Sequence, residues 1–77
     1  MALKDPLLVD CRELPPPEPM VLVLEALEAL PKGKKLLMRH RMRPVHLLPI
    51  LTTRGFDYAF EIEEADLVEL LIWHRDV

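Results

Sequence analysis

Seventy-seven residues suffice for one domain and not for two, so the chain reads as a single unit over 1–77. Half of it is hydrophobic and 30% is charged, a globular rather than a disordered balance. A net charge of −3 argues against a general nucleic-acid binder, the lack of any stretch of about 20 apolar residues argues against a membrane span, and one cysteine excludes an internal disulfide or a thiolate-rich zinc site.

Leu7 to Cys11 is a short apolar run, too short for a helix, and reads as a strand. Cys11 alternates in phase with Leu7 and Val9, so it is expected in the core, where cysteine is usually an inert small hydrophobe. The opening MALKDPLLVD has no long apolar run, so no signal peptide is read there and the cytoplasm is the expected compartment. Residues 13–19 carry four prolines and cannot hold regular structure throughout. They can start a helix, because first-turn amides need no partner. Met20 to Leu30 is that helix: Leu, Ala and Glu dominate, and Val23, Leu24, Leu27 and Leu30 form the buried stripe.

Pro31-Lys32-Gly33 ends the helix, and Lys35 to Arg39 reads as a second strand. A second helix is expected from Pro44 to Arg54, with Leu47, Ile50 and Leu51 on its apolar face and a kink or early non-helical turn at Pro49. Gly55 falls just past its end, where positive φ is often required. Phe56, Tyr58, Phe60 and Ile62 alternate along one face of a third strand. A turn over Glu63 to Asp66 leads to a last strand, Leu67 to His74. There Val68, Leu70 and Ile72 should meet the helices while Leu71 and Trp73 face away.

The order β-α-β-α-β-β, with two helices for four strands, predicts an α/β (α+β) two-layer sandwich: a four-stranded mixed sheet with both helices on one face. The other face stays open, and Leu8, Leu37, Leu71 and Trp73 are the apolar residues expected there, a candidate interface for a homodimer. Parallel units gather ligands at the C-terminal ends of their strands, where Arg12, Met20, His40, Arg41, Arg43 and His46 would cluster. Two helix N-termini beside arginines also suit an anion.

The run Asp10-Cys11-Arg12-Glu13-Leu14-Pro15-Pro16-Pro17-Glu18-Pro19, followed by a helix and a Gly-bearing turn, resembles the TusA-like (SirA-like) superfamily, and within it the branch called domain of unknown function 2249. That branch shows an Asp-x-Arg-x-Leu-Pro-Pro-Pro-Glu-Pro signature and a His near the end of the second strand, here His40. The likeness spans Leu7 to Arg75 and implies the same two-layer fold. Carriers of the superfamily hold a persulfide on the cysteine of a Cys-Pro-x-Pro motif before the first helix. The matching stretch here is Pro16-Pro17-Glu18-Pro19, so proline stands where that cysteine would be and Cys11 is the sole thiol. Relatives of the branch carry His directly after Pro-Glu-Pro, where this chain has Met20, and His-Asp-Pro where it has His40-Arg41-Met42. If those histidines are a ligand pair, the pair here is His/Met, with His40 as the candidate metal ligand, and suits haem or copper better than zinc or magnesium.

No catalytic constellation is present: the chain has no Ser, and its two glycines form no phosphate loop. The expected function is therefore a small non-enzymatic binding or adaptor domain with a protein partner, haem, a metal or an anionic ligand at the strand-end edge. The alternatives are a sulfur-transfer protein, using Cys11 or having lost its carrier cysteine, and a structural dimer.

Overall fold

The computed structural model describes residues 6–75. Its elements are β1 (Leu7–Asp10), α1 (Glu18–Glu28), β2 (Lys35–His40), α2 (Leu47–Thr53), β3 (Phe56–Glu64) and β4 (Leu67–His74). They form one sheet in the order β1-β2-β4-β3. β1 and β2 pair in parallel, and β4 is antiparallel to both of its neighbours. β2 and β3 therefore point the same way with β4 between them. Both helical crossovers advance across the sheet in one direction, and crossovers of one hand then lie on one face. The four-stranded mixed sheet with both helices on a single face is the predicted architecture.

The core sits between the layers. Leu36 and Met38 of β2, Leu70 and Ile72 of β4 and Phe56 of β3 meet Val23 and Leu27 of α1 and Leu47 and Leu51 of α2. Alternation along the strands explains the choice, since these residues share one face of the pleat. Cys11 joins this cluster, and its amide donates to the Arg39 carbonyl at 2.7 Å, extending the β1–β2 pairing one residue past the strand.

Several boundaries differ from the sequence reading. α1 starts at Glu18, two residues early, because Pro19 sits in the first turn and suits it. α2 starts at Leu47, not Pro44; residues 44–46 form a turn in which the Leu47 amide donates to the Pro44 carbonyl at 3.0 Å. Pro49 then falls in the first helical turn, where its missing N–H breaks no helical bond, so no kink is needed there and the non-helical turn lies at residues 44–46 rather than at Pro49. Gly55 has φ of +89°, as expected of the residue past a helix end. β3 runs on to Glu64, and only Ala65 and Asp66 form the β3–β4 turn, with Asp66 at φ +66°. Left-handed φ is tolerated by Asp better than by most residues.

Ile62 does not share the face of Phe60. The register slips between them: Phe60 opposes Leu70, Ile62 opposes Glu69, and Glu61 is the extra residue of a bulge. That slip turns Ile62 to the open face and sends Glu63 to the helix side.

A one-sided core makes a direct prediction. Leu70→Ala should cost about 2–5 kcal/mol, the range for a fully buried leucine, while Leu71→Ala, next in sequence on the open face, should cost clearly less. Urea denaturation of both variants checks this, and equal losses would contradict the layering.

Candidate functional site

β1, β2 and β3 end at one edge of the sheet, and the turns that lead into both helices start there. Beyond β1 the chain enters the proline turn, with the Pro16–Pro17 bond cis. The Glu18 amide donates to the Pro15 carbonyl at 3.0 Å, Pro19 has no N–H, and the Met20 and Val21 amides both donate to the Pro17 carbonyl at 3.1 and 3.2 Å. The first turn of α1 thus has its amides already satisfied and offers no open donor to an anion. That is the cost of starting a helix on prolines.

The basic residues of this edge are also engaged. Arg12 hydrogen-bonds both carboxylate oxygens of Asp10 at 3.1 and 3.0 Å, and these bonds hold the Asp10 carboxyl below its usual range. Arg41 ties three loops together: its Nε donates to the Arg12 carbonyl at 2.8 Å, and its guanidinium meets Asp66 at 3.0 Å and Glu13 at 3.3 Å. Arg43 pairs with Glu63 at 2.5 Å and lies 4.4 Å over the Phe60 ring. The bulge is what places Glu63 within reach, by turning it to the helix side. Exposed pairs of this kind contribute little individually, about 0–1 kcal/mol, but together they leave the edge close to neutral.

At this edge lies an apolar cleft of about 300 Å³, with Arg43 the one arginine in its lining. Pro16, Pro17, Pro19 and Met20 form one wall. Met38 and His40 of β2, two residues apart and so on one face of the strand, form the floor. Residues 42–47 form the other wall, with Met42 and Val45 exposed at its rim. Of the expected site residues, Met20, His40, Arg43 and His46 meet at this cleft; Arg12 and Arg41 do not line it. Met38, Met42 and Val45 were not among the expected residues. The i, i+2 spacing of Met38 and His40 was the available signal for the first; the exposure of the other two depends on loop shape.

His40 is the unusual member. Its Nδ1 is buried and has no hydrogen-bond partner. Desolvation lowers its pKa, so the imidazole stays neutral at pH 7. Among the described residues no three or more His, Cys, Asp or Glu side chains converge as a metal site. Cys11 lies outside the cleft, fully buried, its Sγ 3.9 Å from the Val9 carbonyl. Burial, and secondarily the charge of Asp10, raises its thiol pKa.

The match that decides the family covers residues 8–74 and carries the description uncharacterized conserved protein (DUF2249). The chain belongs to the DUF2249 family. No curated protein matches it, nor does any solved structure. The proline signature and His40 of this DUF2249 domain thus lie within the matched region and at the cleft.

The open face has a different texture. Leu8, Leu37, Leu71 and Ala59 stand in register across four strands as one apolar row. On one side of it run Asp10, Arg39 and Glu69, with Arg39 Nε 2.8 Å from Glu69. On the other, the Lys35 ammonium lies 5.5 Å from the Trp73 ring centre and Asp57 pairs with Arg75 at 3.2 Å. Trp73 therefore faces away from the helices, as expected, within a charged row. Among the described residues no helix is long and apolar enough to cross a membrane.

The placement of Cys11 predicts its chemistry. At pH 8 the native thiol should react with Ellman's reagent far more slowly than the urea-unfolded chain, because the thiolate is disfavoured and the sulfur is reached only by opening the fold. Labelling of native protein at the unfolded rate would contradict this.

Proposed function

We propose that this domain is a small non-catalytic binding module whose ligand enters the cleft between the proline turn and residues 42–47. The observation that carries the reading is an apolar cleft lined by His40, a residue whose Nδ1 is buried without a hydrogen-bond partner. Buried polar atoms are ordinarily hydrogen-bonded, and an exception calls for a reason such as a bound group. The cleft is at the small end of ligand sites, roughly 300–1,000 Å³, which favours a compact ligand over a full porphyrin. The neutralised arginines and the closed first turn of α1 favour an apolar or soft ligand over an anionic one. A homodimer is a weaker reading, because the open face offers one apolar row between charged rows.

The strand and helix order supports reading the fold as TusA-like. On that reading Pro16, at the position of the carrier cysteine, lines the cleft, so the surface that would present a persulfide is instead an apolar wall. Cys11 is no substitute, being buried in the core. The reading is of a carrier-like scaffold used to bind rather than to transfer sulfur.

Titration with indole, a compact apolar probe, followed by amide chemical shifts, tests the cleft. Saturable shifts are expected at Met20, His40 and Val45, and Val45→Asp should weaken binding by at least about tenfold, equivalent to 1.4 kcal/mol. Shifts confined to Leu37 and Trp73 on the open face, or no saturation, would overturn the proposal.

A further inference from the structure

We propose that the cleft is a copper(I) site, with His40 and the thioethers of Met20 and Met42 as its ligands. This rests on the cleft being the ligand site and names the class of ligand. The chain has four methionines, and Met1 lies outside the described residues. The other three, Met20, Met38 and Met42, come from a helix start, a strand and a loop, and all three line this one cleft. Elsewhere the buried core is filled by leucine, valine, isoleucine, phenylalanine and Cys11. Methionine can serve as an adaptable filler, but Met42 is 61% exposed and fills nothing. What these three thioether side chains share is one cleft, which they line together with His40, whose Nδ1 has no hydrogen-bond partner.

The donor set selects the metal. No carboxylate lines the cleft, which removes calcium, magnesium and manganese. No thiolate lines it either, and structural zinc sites are built from four ligands drawn mainly from Cys and His. Thioether and neutral imidazole are soft to borderline donors that suit copper(I), which also accepts low coordination numbers. Charge points the same way. The self-energy of a buried ion rises as the square of its charge, so an apolar cleft tolerates a monovalent cation far better than a divalent one. Arg43, the nearest fixed cation on the wall, is offset by Glu63. Met38, 1% exposed, belongs to the floor beneath the ligands.

The test is an anaerobic titration in which the purified protein competes with bicinchoninate for copper(I). Silver(I) serves as a redox-inert probe, read by the methionine ε-methyl NMR signals. Wild type should withdraw one equivalent of copper(I), and silver(I) should shift the Met20 and Met42 methyls. His40→Ala, Met20→Leu and Met42→Leu should each weaken binding at least about tenfold, since even outer-shell substitutions at metal sites weaken affinity by that factor or more. Leucine keeps the volume of methionine, so the two Met→Leu variants test the ligands even if His40→Ala folds poorly; circular dichroism checks the fold. Cys11→Ala should bind as wild type does, and zinc should not compete. Equal copper binding by wild type and the ligand variants, loss of binding in Cys11→Ala, or no binding at all would overturn the copper site. Saturable indole shifts with no copper binding would overturn the metal while leaving the cleft as a ligand site. Absence of both would remove both.

Discussion

The direction in which a right-handed crossover moves across a sheet decides which face its helix covers. Here both crossovers move from β1 toward β3, so α1 and α2 are confined to one face, and β4 fills the gap between β2 and β3 without a helix of its own. The apolar content of the core must then come from one side of each strand, which is why Leu36, Met38, Leu70 and Ile72 are buried while Leu37 and Leu71 are only partly covered. The same constraint brings the ends of three parallel strands and the starts of two helices to one edge. The cleft is the space left where the two helices diverge from that edge.

What surrounds the cleft is set by charge. Arg12, Arg41 and Arg43 follow one another closely around the ends of β1 and β2, and as a sequence they suggest an electropositive patch. In the fold each meets a carboxylate: Arg12 that of its near neighbour Asp10, and the other two carboxylates from other segments, with Arg41 bridging Glu13 and Asp66 and Arg43 reaching Glu63. The acidic run of β3 and its turn is therefore the counter-charge of the basic run, not a separate surface. Those pairs tie the loops of this edge together, and one of their members, Arg43, lines the apolar opening. Their individual contributions are small, so their value lies in fixing loop position more than in stability.

Much of this was legible in the chain. The 3.6-residue stripe of α1 and the alternation of β4 identified both elements, and the phase of Cys11 with Leu7 and Val9 placed it in the core. The bulge at Glu61 was not legible, because alternation from Phe56 to Ile62 continues unbroken in sequence while the pairing slips by one residue. The start of α2 was misplaced because Pro44 is a favourable first-turn residue, and only the turn hydrogen bond from Leu47 shows that the helix waits. For the site, strand-end geometry grouped Arg12, Met20, His40, Arg41, Arg43 and His46; Met20, His40, Arg43 and His46 line the cleft, while Arg12 is tied to Asp10 and Arg41 to Asp66, 25 positions away and beyond the reach of local pattern.

The two partly buried histidines make the case for the cleft by contrast. His40 and His74 lie at the ends of β2 and β4, adjacent antiparallel strands, and so at opposite edges of the same sheet face. His74 behaves as a structural residue: its Nε2 is 2.8 Å from the Leu30 carbonyl, and its ring lies against Phe56 at 4.7 Å. His40 has the same kind of position and no partner for Nδ1. Leaving a buried polar atom unpaired costs about 1–3 kcal/mol, a large fraction of the margin a domain of this size can hold. A leucine at position 40 would fill the same floor without that cost. Packing alone therefore does not account for an imidazole there, among prolines and methionines, and the proposed ligand would supply the partner that the ring lacks.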